Sequence, residues 1–301
     1  MIEYNLNNFA VYEIEAPSST NKAVFFSHAN GIPALTYKSL LEKMAKELNA
    51  YIITYDIRGF GKTKKQSLDN YENKVWFWDI LAQDHEELFF AVQKKFPQIK
   101  EWILCGHSLG AWLSILSMRK LNVAKLILMD PPILPSKVIF PWFILHLLKK
   151  TELSPLSKKV KKRKKMFPSF EIAKQELKKS RLMQNWPLES VENYVNGSFH
   201  VKDQNSIIHL RHDPNWEGKI FEEYPMGAWR GFIVIPKEIR NKIQPFFLVG
   251  ENSDTCNLNA KYWVKLFFPK LKWIKIKNGT HMFPIEQQAE TLKELKEIIN
   301  S

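Results

Sequence analysis

Gly106-His107-Ser108-Leu109-Gly110 sets a serine between small residues, directly after the apolar run Trp102 to Cys105 and directly before an apolar helical stretch. That setting predicts a tight strand-to-helix turn, with Ser108 in a strained backbone conformation and its Oγ above the end of a sheet. The helix that follows aims unpaired N–H groups at the same spot. A serine hydroxyl is a weak nucleophile at neutral pH, so it needs a base in hydrogen-bond reach and a carboxylate to orient that base. With the serine first in chain order, both partners must follow at the ends of later strands. His281, in Asn278-Gly279-Thr280-His281-Met282-Phe283-Pro284, directly follows the final strand candidate, and Asp254, in Gly250-Glu251-Asn252-Ser253-Asp254, follows the preceding one. Asp130, in Leu128-Met129-Asp130-Pro131-Pro132, is the main rival for the acid and Glu251 a lesser one. Asp130 reads more easily as the start of a Pro-Pro turn, so Asp254 is preferred.

Acyl transfer also needs donors where the tetrahedral oxyanion forms. One expected donor is the backbone N–H of Leu109. The other comes from the loop His28-Ala29-Asn30-Gly31-Ile32-Pro33, where a small residue and a glycine permit close approach; Asn30 is preferred, with Ala29 as the alternative. His28, His107, Trp142 and Trp216 are candidates for substrate contact. Trp142, Trp186, Trp216 and Trp229 either line an acyl pocket or form a small core of their own. Asp56-Ile57-Arg58-Gly59-Phe60-Gly61 lacks the spacing of a phosphate loop, because position 64 is Lys; it reads as a structural turn in which Asp56 and Arg58 satisfy buried backbone groups. His200, His209, His212, Asp213 and Glu217 cluster in sequence without a metal-ligand spacing, so no metal and no cofactor is expected.

These residues need a sheet to hold them. Short β-branched and aromatic runs alternate with helical patterns, which predicts an α/β fold, a mainly parallel sheet with helices on both faces. The strand candidates are 23–27, 51–55, 102–105, 125–129, 246–249 and 273–276, most of them near-continuous apolar runs. Weaker runs near Phe9 to Ile14 suggest an antiparallel edge. Helices are expected over 37–48, 75–96, 109–120, 260–268 and 285–299. Between Pro131 and Ile235 helical patterns run on without a convincing buried strand. About a hundred residues is too long for a loop, so residues 132–235 are expected to form a helical cap on a core of 1–131 and 236–301.

The chain has 301 residues, 45% hydrophobic and 25% charged, which excludes a disordered or fibrous protein. Its net charge is +13, and residues 137–181 hold fourteen Lys and Arg against three Glu, so about +11 of the excess lies there. No zinc-finger, RNP or basic-zipper pattern accompanies that charge, so no nucleic-acid partner is expected. The densest run, Lys158-Lys159-Val160-Lys161-Lys162-Arg163-Lys164-Lys165, reads as a solvated face, as steering of an anionic substrate, or as docking on an anionic membrane. The apolar stretch Val138 to Leu148 upstream is too short to span a bilayer and contains Pro141 and His146, so packing inside the insert is expected rather than lipid contact. No signal peptide and no membrane insertion are expected. Two cysteines, Cys105 and Cys256, fit a reducing, cytoplasmic setting. The sequence leaves the oligomeric state open.

Together the loop at His28 to Gly31, the turn at Asp56 to Gly61, the elbow at Gly106 to Gly110 and the late Asp254 and His281 resemble the α/β-hydrolase superfamily of serine hydrolases. The resemblance implies an eight-stranded, mainly parallel sheet with a cap after the sixth strand, and Ser108, Asp254 and His281 as a triad. Asp130-Pro131-Pro132, Arg163 followed by Phe167-Pro168-Ser169, Tyr194-Val195 and His212 to Glu217 look like a bacterial group of capped hydrolases. One departure is Ala111, where many relatives carry a second glycine. Haloalkane dehalogenases and epoxide hydrolases share the fold but have aspartate where Ser108 stands. The expected function is hydrolysis of a small to medium carboxylic ester. Thioester, lactone or carbon–carbon bond hydrolysis, or a slow-turnover ligand receptor, are the alternatives.

Overall fold

The computed structural model describes residues 1–64, 77–202, 206–223, 231–256 and 258–300. In chain order the elements are β1 (Ile2–Leu6), β2 (Phe9–Ile14), β3 (Lys22–Ser27), α1 (Lys38–Leu48), β4 (Tyr51–Tyr55), α2 (Phe77–Lys95), β5 (Glu101–His107), α3 (Leu109–Ser117) and β6 (Lys125–Met129). The insert continues with α4 (Ser136–Leu147), α5 (Pro155–Lys161), β7 (Met166–Phe167), α6 (Phe170–Lys178), α7 (Leu188–Ser198), β8 (Phe199–Val201), β9 (Ile208–Leu210) and α8 (Pro214–Glu223). The chain ends with α9 (Lys237–Lys242), β10 (Pro245–Gly250), α10 (Ala260–Phe267), β11 (Lys272–Ile276), the single turn α11 (Phe283–Glu286) and α12 (Gln288–Asn300). Trp229 and the first residues of the helix expected from Val75 lie outside the described residues.

Eight strands form one sheet in the order β1-β2-β4-β3-β5-β6-β10-β11. The pairs from β4 to β11 are parallel, while β1 and β2 make the antiparallel edge. The β1–β2 hairpin is only half visible in the sequence: Asn7 and Asn8 both take positive φ, 50° and 67°, the two-residue turn that matches strand twist. Successive residues of a strand point to opposite faces. Phe25, Leu104, Leu126, Leu128 and Phe247 therefore join α2, α3 and α10 in one apolar cluster, while Val24, Phe26, Ile103, Cys105, Ile127 and Leu248 join α1 and α12 in the other. Each such side chain, removed from water, contributes about 1.5–3 kcal/mol. That double layer holds the strand ends, and so the loops above them, in fixed register.

The insert is not all helical. β7, β9 and β8 make a separate antiparallel sheet of three strands. Strands of two or three residues are too short to give the sequence an alternating period, so the pattern predicts only helices here.

Candidate active site

Ser108 sits at φ 55° and ψ −114°, between the end of β5 and the start of α3. The flanking glycines are needed for space: a Cβ at Gly106 would run into the carbonyl of Gly110, and one at Gly110 into the carbonyl of Ser27. The strained turn is held by Ser108 N–H donating to Met129 O at 2.9 Å. His281 Nε2 lies 3.1 Å from Ser108 Oγ, and its Nδ1 lies 2.7 Å from Asp130 Oδ2. An ionised carboxylate accepts hydrogen bonds and cannot donate, so Nδ1 carries the imidazole proton. Nε2 of the neutral ring is then the acceptor facing the serine hydroxyl.

The carboxylate on this chain is Asp130, not Asp254. Asp130 is fully buried at the end of β6, with φ 44° turning its side chain across the end of β10. Its Oδ1 accepts from Gly250 N–H at 2.9 Å, and its Oδ2 from Ser253 Oγ at 2.5 Å as well as from His281. Asp254 is exposed, and its Oδ1 accepts from the neighbouring Thr255 hydroxyl at 3.1 Å. The loop after β10 thus supplies a donor, Ser253, to the carboxylate rather than the carboxylate itself. Glu251 faces Lys275 and Asn278 N–H instead.

Of the two candidates in the His28 loop, Ala29 N–H already donates to Tyr37 Oη at 3.4 Å. The backbone N–H groups of Asn30 and Leu109 have no partner among the described residues. His28 is fully buried: Nε2 accepts from Ile57 N–H at 2.9 Å, so Nδ1–H donates to Ala29 O at 2.8 Å. Burial lowers its pKa to about 4 against that hydrogen bond. His107 is likewise buried, with Nε2 on the backbone carbonyl of His281 at 2.8 Å and Nδ1 on Tyr37 Oη at 2.6 Å. Burial, then the nearby His281, holds it well below the ordinary histidine value. Neither ring has a nitrogen left for substrate, which corrects the expectation for both. Tyr37, which no spacing singled out, links the two loops: Ala29 N–H to Tyr37 Oη, Tyr37 O–H to His107, and His107 to the backbone that carries His281.

The two tryptophans proposed for substrate contact are buried. Trp216 donates from Nε1 to Arg58 O at 2.8 Å and packs on Gly59; Trp142 belongs to the apolar cluster that includes Trp112. Asp56 accepts from Ala34 N–H, Lys62 N–H and Tyr12 Oη, as the turn reading requires, whereas Arg58 makes a bidentate pair with Asp84 at 2.6 and 2.7 Å.

The insert reaches the His28 loop through Glu217. Its Oε1 pairs with Arg163 at 2.7 Å, its Oε2 with His212 Nε2 at 3.0 Å, and its backbone carbonyl accepts from Asn30 Nδ2 at 3.3 Å. Burial alone would raise the Glu217 carboxyl; Arg163 and His212 hold it below the usual carboxylate range. Arg163 also donates to Tyr194 Oη at 2.7 Å. A Cβ at Gly31 would collide with Glu217, so the glycine is what lets the insert lie this close. His200 and His209 face each other across β8 and β9, and no group of three ligating side chains among the described residues is placed to hold a metal. At the root of the insert, Trp112 Nε1 donates to Pro132 O at 3.0 Å and Ile133 N–H to Thr255 O at 3.0 Å.

The family model described as serine aminopeptidase, S33, matches residues 18–262. The chain belongs to this family, within the α/β hydrolases. No curated protein matches this hydrolase. Among solved structures it is similar to E-2-(acetamidomethylene)succinate hydrolase, at 15% identity over 100% of this chain and 98% of the other, with TM-score 0.71. It is similar to the peroxisomal alpha-beta-hydrolase of Saccharomyces cerevisiae at 12% identity, over 97% and 81% of the two chains, with TM-score 0.71. A third is the thioesterase domain from the curacin biosynthetic pathway, at 14% identity over 100% and 98%, with TM-score 0.68. At these identities the likeness concerns the fold.

Proposed function

We propose that this α/β hydrolase is a serine esterase that cleaves small to medium carboxylic esters through an acyl-enzyme. The observation that carries the reading is the imidazole of His281, hydrogen-bonded at one nitrogen to Ser108 Oγ and at the other to the buried Asp130. In this mechanism Ser108 Oγ attacks the ester carbonyl as its proton passes to His281 Nε2. Asp130 keeps the ring in the Nδ1–H tautomer and stabilises the imidazolium. The backbone N–H groups of Asn30 and Leu109, unpartnered among the described residues, are the donors assigned to the oxyanion. The imidazolium then protonates the departing alkoxide and the alcohol leaves. Water, deprotonated by the same nitrogen, hydrolyses the acyl-serine and regenerates the free enzyme.

The test is a fluorophosphonate probe on the wild type and Ser108→Ala, followed by p-nitrophenyl esters of increasing acyl length beside the matching thioesters. The expected result is labelling of the wild type alone, with turnover of the short and medium esters. Labelling that persists in Ser108→Ala removes the proposed nucleophile. Preference for thioesters over their oxygen counterparts replaces the proposed bond class while leaving the mechanism.

A further inference from the structure

The first helix of the insert has an apolar side that no described residue covers. Phe140 (65% exposed), Phe143, Ile144, Leu147 (64%) and Leu148 all stand in solvent. At 3.6 residues per turn these five positions span an arc of about 140° on α4 and its C-terminal cap, at i, i+3, i+4, i+7 and i+8. Trp142, on the opposite side, is buried in the core cluster, so the helix is anchored by one face and presents the other. The sequence pattern alone predicts packing within the insert for this stretch; the structure turns its large residues outward. Leu153 and Leu156, just beyond, are exposed too.

Positive charge flanks this helix in the chain. Lys137, Lys149, Lys150, Lys158, Lys159 and Lys162 are exposed, with no ion pair among the described residues. Glu152 is the only acidic residue between positions 137 and 165. No described helix is long and apolar enough to cross a membrane. A short helix with an exposed apolar face, flanked in the chain by exposed lysines without acidic partners among the described residues, suits the interface of an anionic bilayer: the rings and leucines enter the headgroup boundary and the ammonium groups meet the phosphates. A protein partner's apolar groove would satisfy the helix face but not the surplus of positive charge.

We propose that α4 and the exposed lysines that flank it in the chain form a docking surface for anionic phospholipid membranes. This assignment is independent of the chemistry at Ser108.

The test is co-sedimentation of the whole protein with two sets of vesicles, phosphatidylcholine alone and phosphatidylcholine with about 30 mol % phosphatidylserine. Binding to the mixed vesicles is expected to exceed binding to the neutral ones by at least about tenfold and to weaken steeply with added salt. Phe140→Glu with Leu147→Glu is expected to abolish it, and Lys149→Gln with Lys150→Gln, Lys158→Gln and Lys159→Gln to reduce it by about tenfold or more. All of these side chains are exposed, and an unchanged thermal unfolding midpoint checks that the variants remain folded. Equal binding to the two vesicle types, or full binding by the glutamate variant, overturns the proposal. So does a concentration-dependent dimer of the wild type that the glutamate variant dissolves, since the face then belongs to a second copy.

Discussion

Replacing Asp130 by Asn tests the acid assignment at a position where the structure sets the size of the effect. The carboxylate accepts three hydrogen bonds, from Gly250 N–H, the Ser253 hydroxyl and His281 Nδ1–H. An amide of the same shape offers one oxygen. In its best orientation it serves Ser253 and His281 and turns its NH2 against Gly250 N–H, which costs about 1–3 kcal/mol of stability. The larger loss is in the transition state, where the imidazolium forms 2.7 Å from a group that no longer carries charge. Losing that orientation and charge costs about 10³- to 10⁴-fold in rate, equivalent to about 4–5.5 kcal/mol. The assay is the second-order rate of phosphonylation of Ser108 by a fluorophosphonate, which needs no knowledge of the natural substrate, with a urea melt to separate folding from chemistry. Asp254→Asn, an exposed change, is expected to stay within roughly twofold of the wild type. A loss of about a hundredfold or more in Asp254→Asn, with Asp130→Asn near wild type, would falsify the assignment.

Acid should unfold this protein early. His28 and His85 are buried with pKa values lowered to about 4 and about 3, and His107 is lowered too, all by burial first. In the unfolded chain each titrates near 6.5, so the stability these neutral rings represent is complete above that value and is lost as the pH falls toward the folded values. Asp56 works the other way, its carboxyl raised by burial to about 6, so the native state takes up one proton that the unfolded chain lacks. Three protons against one leave a net two, or about 2.7 kcal/mol lost per pH unit between about 6 and 4.5. Urea denaturation at pH 7, 6 and 5 measures this, and a flat profile would contradict it. At the insert, Arg163→Met leaves Glu217 nearly fully buried with only His212 beside it and should cost about 3–5 kcal/mol; adding Glu217→Met should restore much of that. A double variant no more stable than the single one would show that the pair is not coupled.

The elbow is legible in sequence because its cause is local. Gly106 and Gly110 are small for contacts within a few residues or one strand away, and an apolar strand beside an apolar helix is visible at short range. The buried parallel strands declare themselves through uninterrupted apolar runs, β4 and β6 to the residue. The choice of acid is not local. Asp130 and Asp254 both follow strands that neighbour one another, and what separates them is the register of β6 on β10 together with the positive φ of Asp130. The fixed histidines escape sequence reasoning in the same way: His28 and His107 look available until Ile57, Tyr37 and the His281 carbonyl are brought to them from other segments. An apolar periodicity, finally, does not say which way it faces, and α4 turns its own outward.

The Asp130 carboxylate stands three residues before Ile133, at the root of the insert, and two clamps lie between it and the rest of the insert. Trp112 grips the carbonyl of Pro132, and Ile133 is stitched to Thr255. Leverage applied through the root of the insert is borne by these clamps, while the Glu217 carbonyl gives the insert a second hold, on Asn30. A foreign insert spliced at residue 134 would keep both clamps but lose the tie between Glu217 and Asn30, so the pairing of His281 with Asp130 should survive while the Asn30 loop shifts.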